Sequence, residues 1–209
     1  MKQVVCLLAL CVTALLSVWL VTESKNRSSV VEAIEARRSI RAYKDTPVER
    51  EKLQFLAECG VKAPSAMNRQ EWEVRIVDSK EWIDGCTAAY LKAVEGTGKA
   101  DYLTKDPNFK NIFRNAPAVI FVGAPDGLFA GENIGCLGQN IMLAATELGL
   151  GTCFLGSVQM MFAEPAMAEY VSSLGFSDGY RLRYALAVGY PDEAPAAKER
   201  DMSKIKFVE

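Results

Sequence analysis

Residues 117–156, PAVIFVGAPDGLFAGENIGCLGQNIMLAATELGLGTCFLG, contain the pattern that decides the fold: a strand, a helix and a second strand. The continuous apolar run from Pro117 to Gly123 predicts a central strand that is buried on both faces. From Ile134 to Leu148, apolar residues recur at spacings of three and four, which predicts an amphipathic helix that ends at Gly149. Gly135 and Gly138 within this helix are expected to allow close packing against another helix, such as one of a dimer partner. The segment Gly151–Leu155 then predicts a short strand.

The sequence on either side of this unit continues the alternation of strands and helices. Helices are predicted from Val30 to about Arg38, from Pro47 to about Gly60, over Lys80–Val94 and over Glu164–Leu174. Strands are predicted over Trp72–Val77 and Tyr184–Val188. The polar segment Gly96–Asn111 is typical of a loop that covers a substrate site, and the tail Pro191–Glu209 is predicted to be irregular. Together these elements indicate an α+β or α/β domain with a single sheet.

The composition excludes several classes of function. The chain has 209 residues, of which 50% are hydrophobic and 24% are charged, as expected for one folded domain. A formal net charge of −2 without a long basic run excludes nucleic acid as a partner. Because the chain has no histidine, Ser-His-Asp and Cys-His catalysis are excluded and a zinc site is not expected. Four cysteines are expected to be buried free thiols: Cys59, Cys86, Cys136 and Cys153.

A hydrophobic leader divides the chain into residues 1–29 and a domain of residues 30–209. The run from Val4 to Val21 has no charge, contains Cys6 and Cys11, and is just long enough to span a bilayer as a helix. An uncleaved anchor and a cleaved signal both fit this pattern, and a buried core helix fits it less well. The leader predicts a domain that is exported or membrane-anchored through residues 4–21, with no other membrane contact. A cytoplasmic location stays open.

Two polar motifs near the start of the domain suit a phosphorylated ligand that carries a ring system. Residues 37–41, Arg-Arg-Ser-Ile-Arg, supply three guanidiniums and a hydroxyl, which can bind a phosphate through charge-assisted hydrogen bonds. Residues 63–70, APSAMNRQ, form a turn whose hydroxyl, amides and cation suit ring edges and ribityl oxygens. Taken alone, each motif is more typical of a solvated surface segment.

Two further motifs lie in the second half of the domain. Residues 149–156, GLGTCFLG, place glycines at both ends of a predicted strand, where backbone N–H groups can approach a planar ligand closely. The end of the preceding helix is a sufficient explanation for Gly149. Lys198-Glu199-Arg200 form a basic group on an otherwise acidic tail, and a solvated tail is again the simpler explanation of that group alone.

In this order and at this spacing, the four motifs resemble those of the nitroreductase family. The sequence has Pro64-Ser65-Ala66-Met67-Asn68-Arg69-Gln70 in the first half and Val188-Gly189-Tyr190-Pro191 before the basic tail. The resemblance covers about residues 30–205, which is nearly the whole domain. Two features depart from the family pattern. Glu71 stands where the family usually has proline before Trp72, and the segment Gly96–Asn111 has no counterpart.

The resemblance implies an α+β fold, with a central mixed β-sheet flanked by helices, and a homodimer with FMN in two sites at the subunit interface. By position, it implies that the phosphate and its adjoining polar atoms are bound by Arg37, Arg38, Ser39, Arg41, Lys198 and Arg200. It implies a second cofactor-binding group, supplied by the partner subunit, made of Pro64, Ser65, Asn68 and Gln70. It also implies that the backbone of Leu155 and Gly156 faces the N5 edge of the flavin.

The function implied is a ping-pong oxidoreductase that takes hydride from NADH or NADPH and reduces a nitroaromatic, a quinone or a similar small molecule. The flavin N5 carries the chemistry, no side chain is expected to be catalytic, and protons can come from water. Two alternatives stay open. One is a specialised flavin enzyme of the same fold, for dehalogenation or flavin fragmentation. The other is a membrane-tethered flavoprotein that relays electrons without being an enzyme.

Overall fold

A computed structural model of the chain describes residues 29–208. The predicted leader, with Cys6 and Cys11, lies outside these residues, so its two predicted fates stay predictions. Helix α1 (Ser29–Ala36) belongs to an N-terminal unit, and a separate compact body begins at Arg37. Within residues 29–208, every helix is too short or too polar to cross a membrane.

The body is built on one four-stranded sheet. Its strands are β1 (Glu73–Val77), β2 (Ala118–Ala124), β3 (Gly151–Leu155) and β4 (Arg181–Gly189). They lie in the order β1-β2-β4-β3, and every neighbouring pair is antiparallel. The sheet predicted to be mixed is therefore antiparallel in its four strands, because β4 lies between β2 and β3, which run in the same direction. An isolated bridge between Ser39 and Thr152 is parallel.

Strand β2 confirms the prediction made from its apolar run. All seven of its residues are buried, which requires cover on both faces of the sheet. Val119 and Phe121 point to one hydrophobic cluster, and Ile120 and Val122 point to the other. This alternation follows from the two-residue repeat of a strand, so a single apolar segment supplies the centre of two cores.

Helices cover both faces of the sheet. Helices α2 (Arg50–Val61) and α5 (Ala130–Glu147) pack with Ile120 and Leu186 on one face. Helix α3 (Lys80–Ala93) and the short helix α6 (Val158–Met161) pack with Phe121 on the other. The remaining short helices are α4 (Asp101–Thr104) and α7 (Ala168–Ser173). Layers of helix on both sides of one antiparallel sheet define an α+β fold.

Several predicted elements differ in detail from the structure. The helix placed after Pro47 begins only at Arg50, and the one predicted over Glu164–Leu174 is divided into a 3-10 turn and α7. The polar segment Gly96–Asn111 contains α4, so it is not structureless. Cys136 is exposed on α5, so its prediction as a buried thiol was wrong, and Cys59 is only half-buried.

The two other cysteines of the body confirm the prediction of buried free thiols. Cys86 lies in α3 and Cys153 lies in β3, and both are buried without a disulfide partner. Burial raises the pKa of the Cys86 thiol to about 12, because the thiolate would lose its hydration. Both thiols therefore act as small apolar side chains of the core.

Gly138 of α5 faces the sheet rather than another helix. A Cβ atom at this position would lie 2.6 Å from the hydroxyl oxygen of Tyr184 on β4. That hydroxyl donates a hydrogen bond of 2.5 Å to the carbonyl of Ile134. The expectation that Gly138 makes room for a partner helix is corrected, whereas Gly135 faces open space in the described chain.

We predict that Gly138→Ala lowers the free energy of unfolding by about 1–3 kcal/mol, since the methyl group must displace the buried Tyr184 hydroxyl. Gly131→Ala, on the same helix, is the control, because no atom lies within 4 Å of its Cβ position in the described chain. Urea denaturation of both variants measures the difference. Equal stability of the two variants would contradict this explanation of Gly138.

Candidate phosphate and flavin site

The basic segment Arg37–Arg41 directly follows the last residue of α1, is extended and lies along β3. The N–H of Ile40 donates to the carbonyl of Thr152 at 2.9 Å, and Ser39 forms a bridge with the same residue. Ile40 is buried, and it packs against Gly151, where a Cβ atom would lie 2.7 Å from the Ile40 side chain. Because side chains alternate along an extended segment, burial of Ile40 turns Ser39 and Arg41 to the opposite side.

The tail that follows β4 returns beside the same segment. The N–H of Lys44 donates to the carbonyl of Tyr190 at 2.9 Å, and the N–H of Asp192 donates to the carbonyl of Ala42 at 3.0 Å. The carboxylate of Glu193 accepts the N–H of Arg41 and, at 3.3 Å, the N–H of Ala42. These bonds align the tail antiparallel to the basic segment and bring the distant motif Lys198-Glu199-Arg200 towards it.

A pocket of about 140 Å³ lies between the basic segment and the tail. It is lined by Arg37, Arg38, Ser39, Arg41, Pro195, Ala196, Lys198 and Arg200. Six of these eight residues are the predicted phosphate-binding set, and five of them are cations. Pockets for whole drug-sized ligands are usually about 300–1,000 Å³, so this pocket has the size for a phosphate group but not for a complete flavin nucleotide.

Two weak acids beside the pocket, Cys153 and Tyr43, do not offset its positive charge by ionising. Burial raises the pKa of the Cys153 thiol, although Arg41 acts in the opposite direction. Burial also raises the pKa of Tyr43, whose hydroxyl donates to the carbonyl of Ile40 at 2.7 Å. At neutral pH both groups are therefore uncharged, so the guanidiniums and Lys198 keep the pocket attractive to an anion.

The loop Pro64–Gln70 has an unusual backbone. Met67, Asn68 and Gln70 have φ angles of 53°, 53° and 52°, which lie in the left-handed region that residues other than glycine rarely adopt. The N–H of Gln70 donates to the hydroxyl of Ser65 at 3.0 Å and closes the turn. Such strained backbone usually costs about 1–3 kcal/mol per residue and is concentrated at functional sites. The side chains of Asn68 and Gln70 are exposed.

Asn133 fixes this loop to the first turns of α5, and sequence reasoning missed it. Its side chain is 5% exposed, and its amide oxygen accepts the N–H of Ala66 at 3.0 Å. The available signal was a polar residue one turn before Leu137, on a helix face that is otherwise apolar. A buried polar side chain at such a position usually has a specific hydrogen-bond partner.

The end of β3 lies three residues beyond Thr152, which pairs with Ser39 of the pocket. A strand rises about 3.3 Å per residue, so Leu155 is about 10 Å from Thr152 along β3, a separation comparable with an extended ribityl chain together with its phosphate. The side chain of Leu155 is buried and Gly156 is exposed. Around the Cβ position of Gly156, the nearest contact is an atom of Phe154 at 3.9 Å, so a ligand could approach the backbone there.

The structure thus brings some predicted site residues together and leaves others apart. The pocket brings together the two basic motifs, and its Ser39 pairs with Thr152 of β3. The hydrogen bonds found for the loop Pro64–Gln70 in residues 37–208 go to the loop itself, to Trp72 and to Asn133. Glu71, which departs from the family pattern, forms a salt bridge with Arg69, in which Oε1 of Glu71 lies 3.7 Å from Nη1 of Arg69. None of these bonds connects the loop to the pocket.

Fold and site together define an α+β protein with a cationic, phosphate-sized pocket beside the edge strand of an antiparallel sheet. A family model described as the nitroreductase family matches residues 34–190. The chain belongs to the nitroreductase family.

Individual members of the family agree with this assignment. The FMN reductase (NAD(P)H) of Bacillus subtilis is 29% identical over 190 residues, which cover 83% of this chain and 70% of the relative. A nitroreductase with bound FMN from Desulfitobacterium hafniense has 30% identity and a TM-score of 0.77, covering 88% of this chain and 100% of its own. A second nitroreductase with bound FMN, from Bacteroides fragilis, has 26% identity and a TM-score of 0.75, covering 88% of this chain and 100% of its own.

We predict that Asn133→Leu lowers the free energy of unfolding by about 1–3 kcal/mol, because the N–H of Ala66 loses its acceptor. Hydrogen exchange at the Ala66 amide should become faster. Asn133→Asp is the matched variant, since it keeps an acceptor and places a carboxylate near the N-terminus of α5, where negative charge is favourable. The assignment is wrong if the Leu and Asp variants exchange the Ala66 amide equally fast.

Proposed function

We propose that the chain is an FMN-dependent oxidoreductase that takes hydride from NAD(P)H and reduces a nitroaromatic, a quinone or a similar small molecule. The observation that carries this proposal is the phosphate-sized pocket, in which two motifs far apart in sequence place five cations together. Membership of the nitroreductase family and the FMN named with two similar structures support the choice of cofactor.

The pocket residues would bind the phosphate of FMN. A planar guanidinium can direct two parallel N–H groups at two oxygens of one phosphate. Arg37, Arg38 and Arg41 therefore suit bidentate, charge-assisted hydrogen bonds. Lys198 and Arg200 would add charge from the tail side, and Ser39 would add a hydroxyl. The remainder of the cofactor would extend along β3, whose length from Thr152 to Leu155 is comparable with an extended ribityl chain together with its phosphate.

When bound, FMN would supply the redox chemistry, which is to accept hydride and to pass electrons to the second substrate. The chain would contribute placement and electrostatics. The backbone near Leu155 and Gly156 would face the N5 edge of the ring, and the absence of a side chain at Gly156 keeps that approach open. The absence of histidine is no obstacle, since protons for the acceptor can come from water.

We also infer that the site is completed in a homodimer. The loop Pro64–Gln70 carries the polar groups suited to a flavin ring, yet its described hydrogen bonds do not connect it to the pocket of its own chain. Pro64, Ser65, Asn68 and Gln70 of one subunit would therefore serve the cofactor held by the pocket of the other. The strained backbone of the loop is consistent with a ligand-binding role.

The proposed function is tested by adding FMN to the purified chain and then mixing the complex anaerobically with NADH or NADPH. Binding should give a flavin absorbance that stays with the protein during gel filtration. Rapid loss of that absorbance on mixing would establish the electron donor and show which nucleotide is preferred. A chain that retains no FMN, or a bound flavin that neither nucleotide reduces, would rule out the function.

We predict that Lys198→Ala weakens FMN binding about tenfold, because one charge-assisted contact to the phosphate is worth about 1.5–3 kcal/mol. Riboflavin, which lacks the phosphate, should bind the variant and the wild type equally. Lys206→Ala is the matched control, since Lys206 is an exposed cation of the same tail outside the pocket. Equal effects of the two substitutions in a fluorescence titration would mean that the pocket does not hold the phosphate.

Mixed dimers test whether one site uses two subunits. We expect Arg37→Ala/Arg41→Ala to damage the pocket, and Ser65→Ala/Asn68→Ala/Gln70→Ala to damage the loop, so that neither homodimer binds FMN well. A dimer containing one chain of each kind, isolated with two different tags, should bind one FMN, because one pocket meets one intact loop. If pocket and loop of the same chain formed the site, the mixed dimer would have none.

A further inference from the structure

We propose that Glu193 is a positioning residue, which holds the C-terminal tail so that Lys198 and Arg200 reach the phosphate pocket. This inference rests on the proposed function, since it concerns the same pocket. Glu193 is not itself among the residues that line the pocket. Its role is therefore exerted through the tail and through the basic segment, not by contact with the ligand.

The bonding of Glu193 joins the two halves of the pocket. One carboxylate oxygen, Oε1, accepts N–H groups from two consecutive residues of the basic segment, Arg41 and Ala42. The N–H of the preceding Asp192 donates to the carbonyl of Ala42 at 3.0 Å, so the tail both accepts hydrogen bonds from the basic segment and donates one to it. Two positions after Glu193, the tail reaches Pro195, which already lines the pocket.

Between Glu193 and Asp201, the tail has no regular structure that could fix its course. Residues 193–201 contain neither helix nor strand, and Lys198 and Arg200 are both exposed. The guanidinium of Arg200 donates to the carbonyl of Lys198 at 3.0 Å, which is a bond within the tail itself. The five cations around the pocket also repel one another, so an irregular tail that carries two of them needs an attachment to stay close.

Glu193 brings a negative charge towards a pocket that attracts anions. Substitution of Glu193 therefore distinguishes a role through charge from a role through positioning of the tail. If the carboxylate acted only through its charge, its removal would strengthen phosphate binding, because like charges repel. If it acts by positioning the tail, its removal weakens phosphate binding in spite of the lost repulsion. The two explanations therefore predict changes of opposite sign for the same substitution.

The experiment titrates the full chain and its variants with FMN and with riboflavin. We expect Glu193→Ala to weaken FMN binding about tenfold, the effect of losing one good charged contact, and to leave riboflavin binding within about twofold. Glu193→Gln should bind FMN at least as well as the wild type, because its amide oxygen can still accept both N–H groups. Asp192→Asn is the control for charge alone, since the hydrogen bond of Asp192 is made by its backbone.

A second measurement needs no ligand. Hydrogen exchange of the Arg41 and Ala42 amides should become faster in Glu193→Ala and stay slow in Glu193→Gln, which also shows whether both variants are folded. The inference is overturned if Glu193→Ala binds FMN as well as the wild type does, or if the substitution weakens the binding of FMN and of riboflavin equally. It is also overturned if the exchange rates of the two amides do not change. A wild-type chain that binds neither flavin would instead refute the proposed function itself.

Discussion

The backbone hydrogen bond from Ile40 to Thr152 is the interaction on which the candidate site depends. It attaches the basic segment to the edge of the sheet, and burial of the Ile40 side chain against Gly151 sets which way its neighbours point. The tail then aligns against Ala42 and Lys44, further along the same extended chain. Since β4 is the neighbour of β3 and also leads into the tail, a single pairing in the sheet organises both walls of the pocket.

Backbone hydrogen bonds hold together the two segments that carry the cationic residues. Five positive charges in a small pocket repel one another, and a bound anion relieves that repulsion. A scaffold of strand-like bonds can withstand this repulsion because it is anchored in a core where β2 and most of β4 are fully buried. The strained loop Pro64–Gln70 is likewise held by a hydrogen bond of its backbone, which the N–H of Ala66 donates to the buried side chain of Asn133 on α5.

The sequence allowed the local elements to be predicted, but not their arrangement. The limits of β3 and the two buried faces of β2 followed from apolar runs that end at glycines or prolines. The strand order could not be predicted, because periodicity shows which residues are buried and not which strand pairs with which. The role assigned to Gly138 failed for the same reason: a glycine signals a close approach, whereas the neighbour, Tyr184, lies on a distant strand.

The motifs gave the members of the pocket but not the residues that assemble it. Arg37, Arg41 and Lys198 carry recognisable chemistry, and the resemblance of their motifs to those of the family was what grouped them. Asn133 and Glu193 act on backbone N–H groups, and an acceptor for a backbone group can be almost any polar residue at the right place. The residues that bind a ligand are therefore constrained in chemical type and are visible in a single sequence. Those that position them are constrained in place, and only the fold reveals them.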